Sequence, residues 1–146
     1  MSTHQIQLEV KNLTTCFRTS KGNVTAVDDV SFSLKKSETL CIVGESGCGK
    51  SVSALSIMGL LPPSGYVKYG SANFQNNNLL SMSSKQLERL RGDRISMIFQ
   101  DPGSSLNPVM RIGDQVSEIF RIHLNMSKKE SVEKALEMLN QVEIPD

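Results

Sequence analysis

No stretch of this 146-residue chain approaches the roughly 18 to 20 consecutive apolar positions that a membrane-spanning helix needs, so the chain by itself reads as soluble. An excess of either charge is missing too. Sixteen basic and fifteen acidic residues are interspersed to give a formal net charge of +1, which leaves no electrostatic ground for a nucleic-acid partner. The start, Met1 to Gln5, lacks the basic residues and apolar run of a secretory leader. Cysteine is sparse: Cys16, Cys41 and Cys48 are an odd count without metal-ligand spacing. Neither a disulfide framework nor a metal site is expected, and the chain reads as reduced and cytosolic. His4 and His123 are isolated and receive no ligand role. No internal repeat is visible. The length suffices for one domain with a real core.

What is present is concentrated in one octapeptide. Gly44-Glu45-Ser46-Gly47-Cys48-Gly49-Lys50-Ser51 fits the phosphate-binding pattern G-x-x-x-x-G-K-[ST] at every defined position. At average residue usage such a match arises with odds of roughly 10⁻⁵ to 10⁻⁴ per site. Thr39 to Val43 before it is a short apolar run suited to a buried strand. Val52 to Leu61 after it is helix-like and is stopped by Pro62-Pro63. Strand, glycine loop and helix are the context the motif requires. Glycines let the backbone wrap closely around phosphates because they reach conformations that side chains forbid. Successive N–H groups then point inward, and the helix N-terminus adds partial positive charge. The motif assigns Lys50 to the β- and γ-phosphates and the Ser51 hydroxyl to Mg²⁺. Within this region Cys41 reads as a small buried hydrophobe. Cys48 admits two readings: a thiol sensitised to alkylation by a helix N-terminus, or, more simply, a tolerated small residue at a variable position.

The rest of the chain supplies an order of elements. Ile6, Leu8 and Val10 alternate with Gln7 and Glu9, the period of a half-buried strand. The turn Lys21-Gly22-Asn23 separates Cys16-Phe17-Arg18 from Val24 to Val27, and Val30 to Leu34 alternates again. Tyr66 to Tyr69 is a further strand candidate, followed by a polar loop from Asn73 to Asn78. Ser84 to Arg91 predicts a short helix ending at Gly92. Ile95 to Phe99 predicts a compact apolar strand that terminates at Gln100-Asp101-Pro102. Beyond it the chain is helical. Arg111 to Leu124 places Ile112, Val116, Ile119, Phe120 and His123 on a common face. Ser127 and Glu130 form a capping box, and Val132, Ala135, Leu136, Leu139 and Val142 form a stripe suited to packing.

In this order the parts resemble the first half of an ATP-binding-cassette ATPase, the motor subunit of ABC transporters, from about Ile6 to Ile144. Gln100 stands at the position of the family's Q-loop glutamine, fifty residues after Lys50. The stretch Phe99-Gln100-Asp101-Pro102-Gly103-Ser104-Ser105-Leu106-Asn107-Pro108 is similar to the F-Q-D-P-x-x-S-L-N-P run of ATPases serving oligopeptide, dipeptide and nickel importers. Gly92 to Ile98 and Arg111 to Gln115 fit the same group. The resemblance implies an α/β phosphate-loop fold, incomplete, in one domain over 1–146. An antiparallel β subdomain and partial RecA-like core would cover 6–100, and the Q-loop and the start of the helical subdomain 101–146. It implies ATP and Mg²⁺ as cofactors, with Ser51 and Gln100 serving the metal. Phe17 falls at the aromatic position that stacks on adenine, although a strand phenylalanine taken alone is more often core. The stiff loop between Pro102 and Pro108 suits docking of a membrane subunit. Implied partners are membrane permease subunits and a second ATPase subunit, which would place the chain peripherally at the cytoplasmic face of the inner membrane.

The family's signature motif, its Walker B aspartate, the adjacent catalytic glutamate and the switch histidine have no counterpart in this sequence. No carboxylate ends an apolar strand of the Walker B kind, so ATP hydrolysis by the chain alone is not expected. Loss of the neighbouring strand would leave Leu40 to Val43 as an open apolar edge and the monomer prone to aggregate. Two readings compete. One is a peptide-importer ATPase subunit seen only in its first part. The other is a non-hydrolysing nucleotide-binding or interaction module that pairs with full-length subunits. An ABC protein of repair or translation is a third, disfavoured by Asp101 to Pro108.

Overall fold

Strand alternation at the start of the chain produces a hairpin longer than the sequence pattern suggests. The computed structural model describes residues 5–101 and 105–144. In it β1 (Ile6–Thr19) and β2 (Gly22–Lys35) form one antiparallel ladder, turned at Ser20-Lys21 and closed by Gly22 at φ 113°. The Thr19 hydroxyl donates to the Gly22 carbonyl at 2.7 Å and helps close the turn. β3 (Gly65–Phe74) pairs antiparallel with the other edge of β1, and β4 (Asn77–Asn78) adds a short step, giving the order β2-β1-β3-β4. Part of the expected loop from Asn73 to Asn78 is therefore strand.

The sheet is bent at one level. Asn12 in β1, Asp29 in β2 and Gly70 in β3 all have positive φ, and register shifts occur around Asn12. The Asn12 amide donates to Asp29 Oδ1 at 2.7 Å, and its backbone N–H donates to Ser31 Oγ at 2.8 Å. A Cβ on Gly70 would stand 2.6 Å from the Asn12 carbonyl oxygen, so glycine is required there by space as well as by φ. Such bulges let 14-residue strands curve around a core. That core holds Val10, Leu13, Cys16, Val27, Ala72 and Leu79.

α1 (Lys50–Met58) begins at Gly49, whose φ is 93°. It ends at Gly59 in the left-handed region, with Gly59 N–H bonded to the Ser56 carbonyl and Leu60 N–H to the Leu55 carbonyl. The glycine thus stops the helix before Pro62-Pro63 is reached. A single 3₁₀ turn at Leu79–Ser81 and α2 (Ser84–Leu90) follow β4.

Two expected strands are not present. Thr39 to Val43 and Ile95 to Phe99 carry no ladder. Among the described residues the one parallel pairing is an isolated bridge between Arg91 and Ile95. Val43 is 87% exposed and Ile98 98%, and Cys41 is exposed rather than buried. A strand needs a hydrogen-bonding neighbour along its length; Thr39 to Val43 has no ladder, and Ile95 to Phe99 has only the single bridge at Ile95. The expected RecA-like part is therefore represented by α1 and its loop without a parallel sheet.

The chain divides into two compact units, Met1–Glu88 and Arg89–Asp146. In the second, α3 (Ile112–Leu124) and α4 (Lys128–Gln141) are joined through Asn125, which caps α3 at φ 53°. The capping box at Ser127 and Glu130 is formed in both directions. The residues buried here are the small Ser117, Ser131 and Ala135. Ile112, Ile119, Leu136 and Val142 of the expected apolar stripes are exposed. The bulkier residues of those stripes are therefore not what the two helices bury. Gly92, at φ 83°, lies so close to the His123 imidazole that a Cβ would be 2.9 Å from Nε2, which gives His123 a packing partner.

Candidate phosphate site

The loop from Gly44 to Gly49 is shaped by its own side chains. Lys50 Nζ donates to the Gly44 carbonyl at 2.7 Å and to the Glu45 carbonyl at 2.6 Å, with Cys48 Sγ at 3.4 Å. The ammonium therefore ties the beginning of the loop to the first residue of α1. Gly47 (φ 82°) and Gly49 (φ 93°) make the two turns that L side chains resist.

Each glycine has its own reason. A Cβ on Gly44 would fall 2.6 Å from Cys48 Sγ. One on Gly47 would meet nothing, so only its φ calls for glycine. One on Gly49 would stand 2.5 Å from the Ala26 carbonyl oxygen and 3.3 Å from Val27 Cγ2. Gly49 is buried, and this close approach seats the end of the loop directly on β2. The sequence pattern shows the glycine but not the strand beneath it.

A second anchor lies about two turns further along α1, at Ser56. Ser56 donates to the Val52 carbonyl at 2.6 Å, so the 2.8 Å contact between Ser56 Oγ and Thr15 Oγ1 is filled by a proton from Thr15. Both residues are buried. In low dielectric a satisfied pair of hydroxyls fixes orientation as well as position. Ser53 Oγ caps back to the Gly49 carbonyl at 3.0 Å. Sequence reasoning missed Thr15, Ser56 and Ala26. The only available signal was the run of serines at 51, 53 and 56 in an otherwise apolar helix.

The remaining expected site residues fall as follows. Ser51 is exposed in the first turn of α1, next to Lys50. Glu45, Ser46 and Cys48 are exposed along the loop. Phe17 is half-buried on β1, two residues from Thr15 and opposite Val24 and Gly65. Gln100 is exposed and belongs to the second unit, as do Ser105 to Pro108. Pro102, Gly103 and Ser104 of the proline-containing stretch, like His4, lie outside the described residues. Within the second unit, Gln115 on α3 pins the segment from Asn107 to Met110 that leads into the helix. It accepts from the Asn107 N–H at 2.8 Å and donates to the Asn107 and Met110 carbonyls, both at 3.0 Å.

Chemically, the first unit offers a helix N-terminus whose opening N–H groups lack intrahelical partners, a wrapped glycine loop and one lysine ammonium. That set suits a polyphosphate. A hydroxyl beside it, from Ser51, suits a hard cation that bridges phosphate oxygens. Among the described residues there is no cluster of three or more His, Cys, Asp or Glu placed to hold a metal ion. No helix is long and apolar enough to cross a membrane among these residues.

Comparison with known proteins agrees with this geometry. Residues 27–146 match the ABC transporter family. The chain is 50% identical over 139 residues to the oligopeptide transport ATP-binding protein OppD of Escherichia coli (strain K12), covering 95% of this chain and 41% of that protein. It is 52% identical over 140 residues to the dipeptide transport ATP-binding protein DppD of Bacillus subtilis (strain 168), covering 95% and 42%. The chain thus spans about two fifths of the length of these relatives. Among solved structures, the ATP-binding cassette MJ0796 bound to ADP and Pi superposes with a TM-score of 0.79 at 25% identity, over 95% of this chain and 58% of that one. The fold is accordingly that of part of an ABC ATPase cassette.

Proposed function

This chain belongs to the ABC transporter family, and from that premise we propose that it is the nucleotide-gripping part of an ATP-binding subunit of a peptide importer. The observation that carries the reading is the loop from Gly44 to Gly49, seated on β2 and fastened by Lys50 at the start of α1. The kinship to OppD and DppD supports peptides as the solute class.

In this reading Lys50 and the N–H groups of Gly44 to Ser51 hold the phosphates, with Lys50 exchanging carbonyl partners for phosphate oxygens. Ser51 would ligate Mg²⁺, and the match of Gln100 to the Q-loop position assigns it a metal role as well. Mg²⁺, when bound, neutralises charge developing on the phosphates. Phe17 offers a ring for adenine. Glu45, Ser46, Gly47, Cys48 and Gly49 shape the loop. The partners are membrane permease subunits and a second ATPase subunit, at the cytoplasmic face of the membrane. The residue that orients the attacking water is not among those the site brings together, so the chain alone binds ATP and does not turn it over.

Calorimetric titration of the purified chain with Mg-ATP tests this. Saturable binding weakened at least about tenfold by Lys50→Ala supports the reading, tenfold being about 1.4 kcal/mol. Equal affinity in parent and variant, or none in either, overturns it. Phosphate release by the parent that Lys50→Ala abolishes would overturn the claim about turnover alone.

A further inference from the structure

Gly65, the first residue of β3, has no backbone reason to be glycine. Its φ is not in the left-handed region, unlike that of Gly47, Gly49 or Gly70. Glycine in a strand forfeits side-chain packing and backbone entropy, and where the conformation is ordinary it marks a close approach. The approach here is by Phe17. A Cβ on Gly65 would lie 3.0 Å from Phe17 Cε1 and 3.4 Å from Cδ1, with Leu61 Cβ at 3.3 Å on its other side. The methyl of alanine would be wedged between the ring and the Cβ of Leu61, and of these two the ring is the part that can turn about its side-chain bonds.

The seat of that ring is tied down on both sides. Phe17 is the register partner of Gly65. The next residue, Arg18, donates its N–H to the Ser64 carbonyl at 2.9 Å, and Gly65 donates to the Pro62 carbonyl at 2.8 Å, closing the turn 62–65. Arg18 also lies over the Tyr66 ring at 4.8 Å. Leu61 and the turn follow directly from α1, the helix that starts at the phosphate loop. One continuous segment from Gly44 to Gly65 therefore carries the phosphate grip at one end and the seat of the Phe17 ring at the other. The approach is nearest at Cε1 and Cδ1 of the ring, and the residue is only half-buried. A half-buried aromatic keeps part of its ring surface for a second flat group.

We propose that Gly65 is a positioning residue for base recognition: its missing Cβ is the space that sets the Phe17 ring to stack on the adenine of ATP. The inference rests on the reading of Phe17 as the base platform, and it adds the residue that aims it. A glycine kept only for the turn would affect the whole site; one kept for the ring affects the base and spares the phosphates.

The experiment is a double-mutant cycle over Phe17→Ala and Gly65→Ala in the 146-residue chain, titrated with Mg-ATP and separately with Mg-tripolyphosphate, which has no base. Phe17→Ala is expected to weaken ATP about tenfold, and Gly65→Ala about threefold to tenfold. Tripolyphosphate affinity should stay within about twofold in both. In the Phe17→Ala background, Gly65→Ala should add nothing, because the neighbour it disturbs is gone. If Phe17→Ala leaves ATP affinity unchanged, the base-platform reading fails and this inference with it. If Phe17→Ala weakens ATP but Gly65→Ala does not, or if the two effects add, the positioning role alone is overturned. Equal loss of tripolyphosphate and ATP in Gly65→Ala overturns it as well. Should Gly65→Ala alone not fold, the double variant decides. A pair that folds and binds ATP as weakly as Phe17→Ala supports the proposal, and a pair that stays unfolded overturns it.

Discussion

The run from Val10 to Cys16 is mixed, with Lys11, Asn12, Thr14 and Thr15 between its apolar residues, and the run from Leu40 to Val43 is apolar throughout, yet the first supplies the core and the second lies exposed. In the first, Val10, Leu13, Thr15 and Cys16 are buried at 2% exposure or less. It is flanked by a strand on each side. In the second, Leu40, Ile42 and Val43 face outward with no ladder at all. Composition alone would rank them the other way round; the presence of a neighbour decides. A strand is a pairwise structure, and its apolar residues are buried only once a hydrogen-bonded partner and a covering layer exist. Ile95 to Phe99 repeats the second case.

The widest gap this comparison implies is in core truncation. Leu13→Ala should cost about 3 kcal/mol of unfolding free energy. Ile42→Ala should fall within about 0.5 kcal/mol of the parent, both read from urea midpoints of the first unit. Comparable losses at the two positions would break the comparison. Next in size is Gly49→Ala, which forces a Cβ against the Ala26 carbonyl at positive φ. A loss of about 2 kcal/mol is expected, together with weakened ATP binding, because loop and β2 are one contact. A subtler test is Thr15→Val, which removes the proton given to Ser56 but leaves Ser56 bonded to Val52. It should cost about 1 kcal/mol and leave the core filled.

The smallest expected effect lies in the second unit, where order comes from a cap rather than a sheet. Hydrogen bonds from Ser127, first through its side chain and then through its backbone N–H, hold the Glu130 carboxyl below the ordinary glutamate value. A carboxyl whose folded pKa is depressed stabilises above its unfolded pKa and loses that contribution as pH falls through the folded value. Helical ellipticity of α4 should therefore decline on acidification below the usual glutamate range. The Glu130→Gln variant should not show that step.

Much of this was legible in the residues. The glycine loop, the helix behind it, the capping box at Ser127 and Glu130 and the order of elements all depend on local chemistry, and local chemistry is written in spacing. That Thr39 to Val43 and Ile95 to Phe99 form no strand was not, because an apolar run reports a capacity for pairing and says nothing about the partner. The burial of Ser117 and Ser131 in place of Ile112 and Ile119 escaped for a related reason. Periodicity locates a face and does not tell which of its residues the two helices bury. Thr15 meets Ser56 from 41 residues away in sequence, and Ala26 and Gly65 meet Gly49 and Phe17 across long separations as well, and no spacing rule reaches them.

Lys50 closes a ring of chain that runs from Gly44 back to its own ammonium. Holding a residue's backbone in one conformation costs about 1–2 kcal/mol of entropy. The fraction of that cost already met within the loop is not subtracted from the affinity for a ligand. The lysine is thus a fastener as well as a cation, and a substitution there mixes two losses. Lys50→Ala removes a charge and also lets the loop wander, which should show in calorimetry as a more unfavourable binding entropy. Lys50→Arg keeps the charge, but its planar fork does not reproduce a compact ammonium set between two carbonyls.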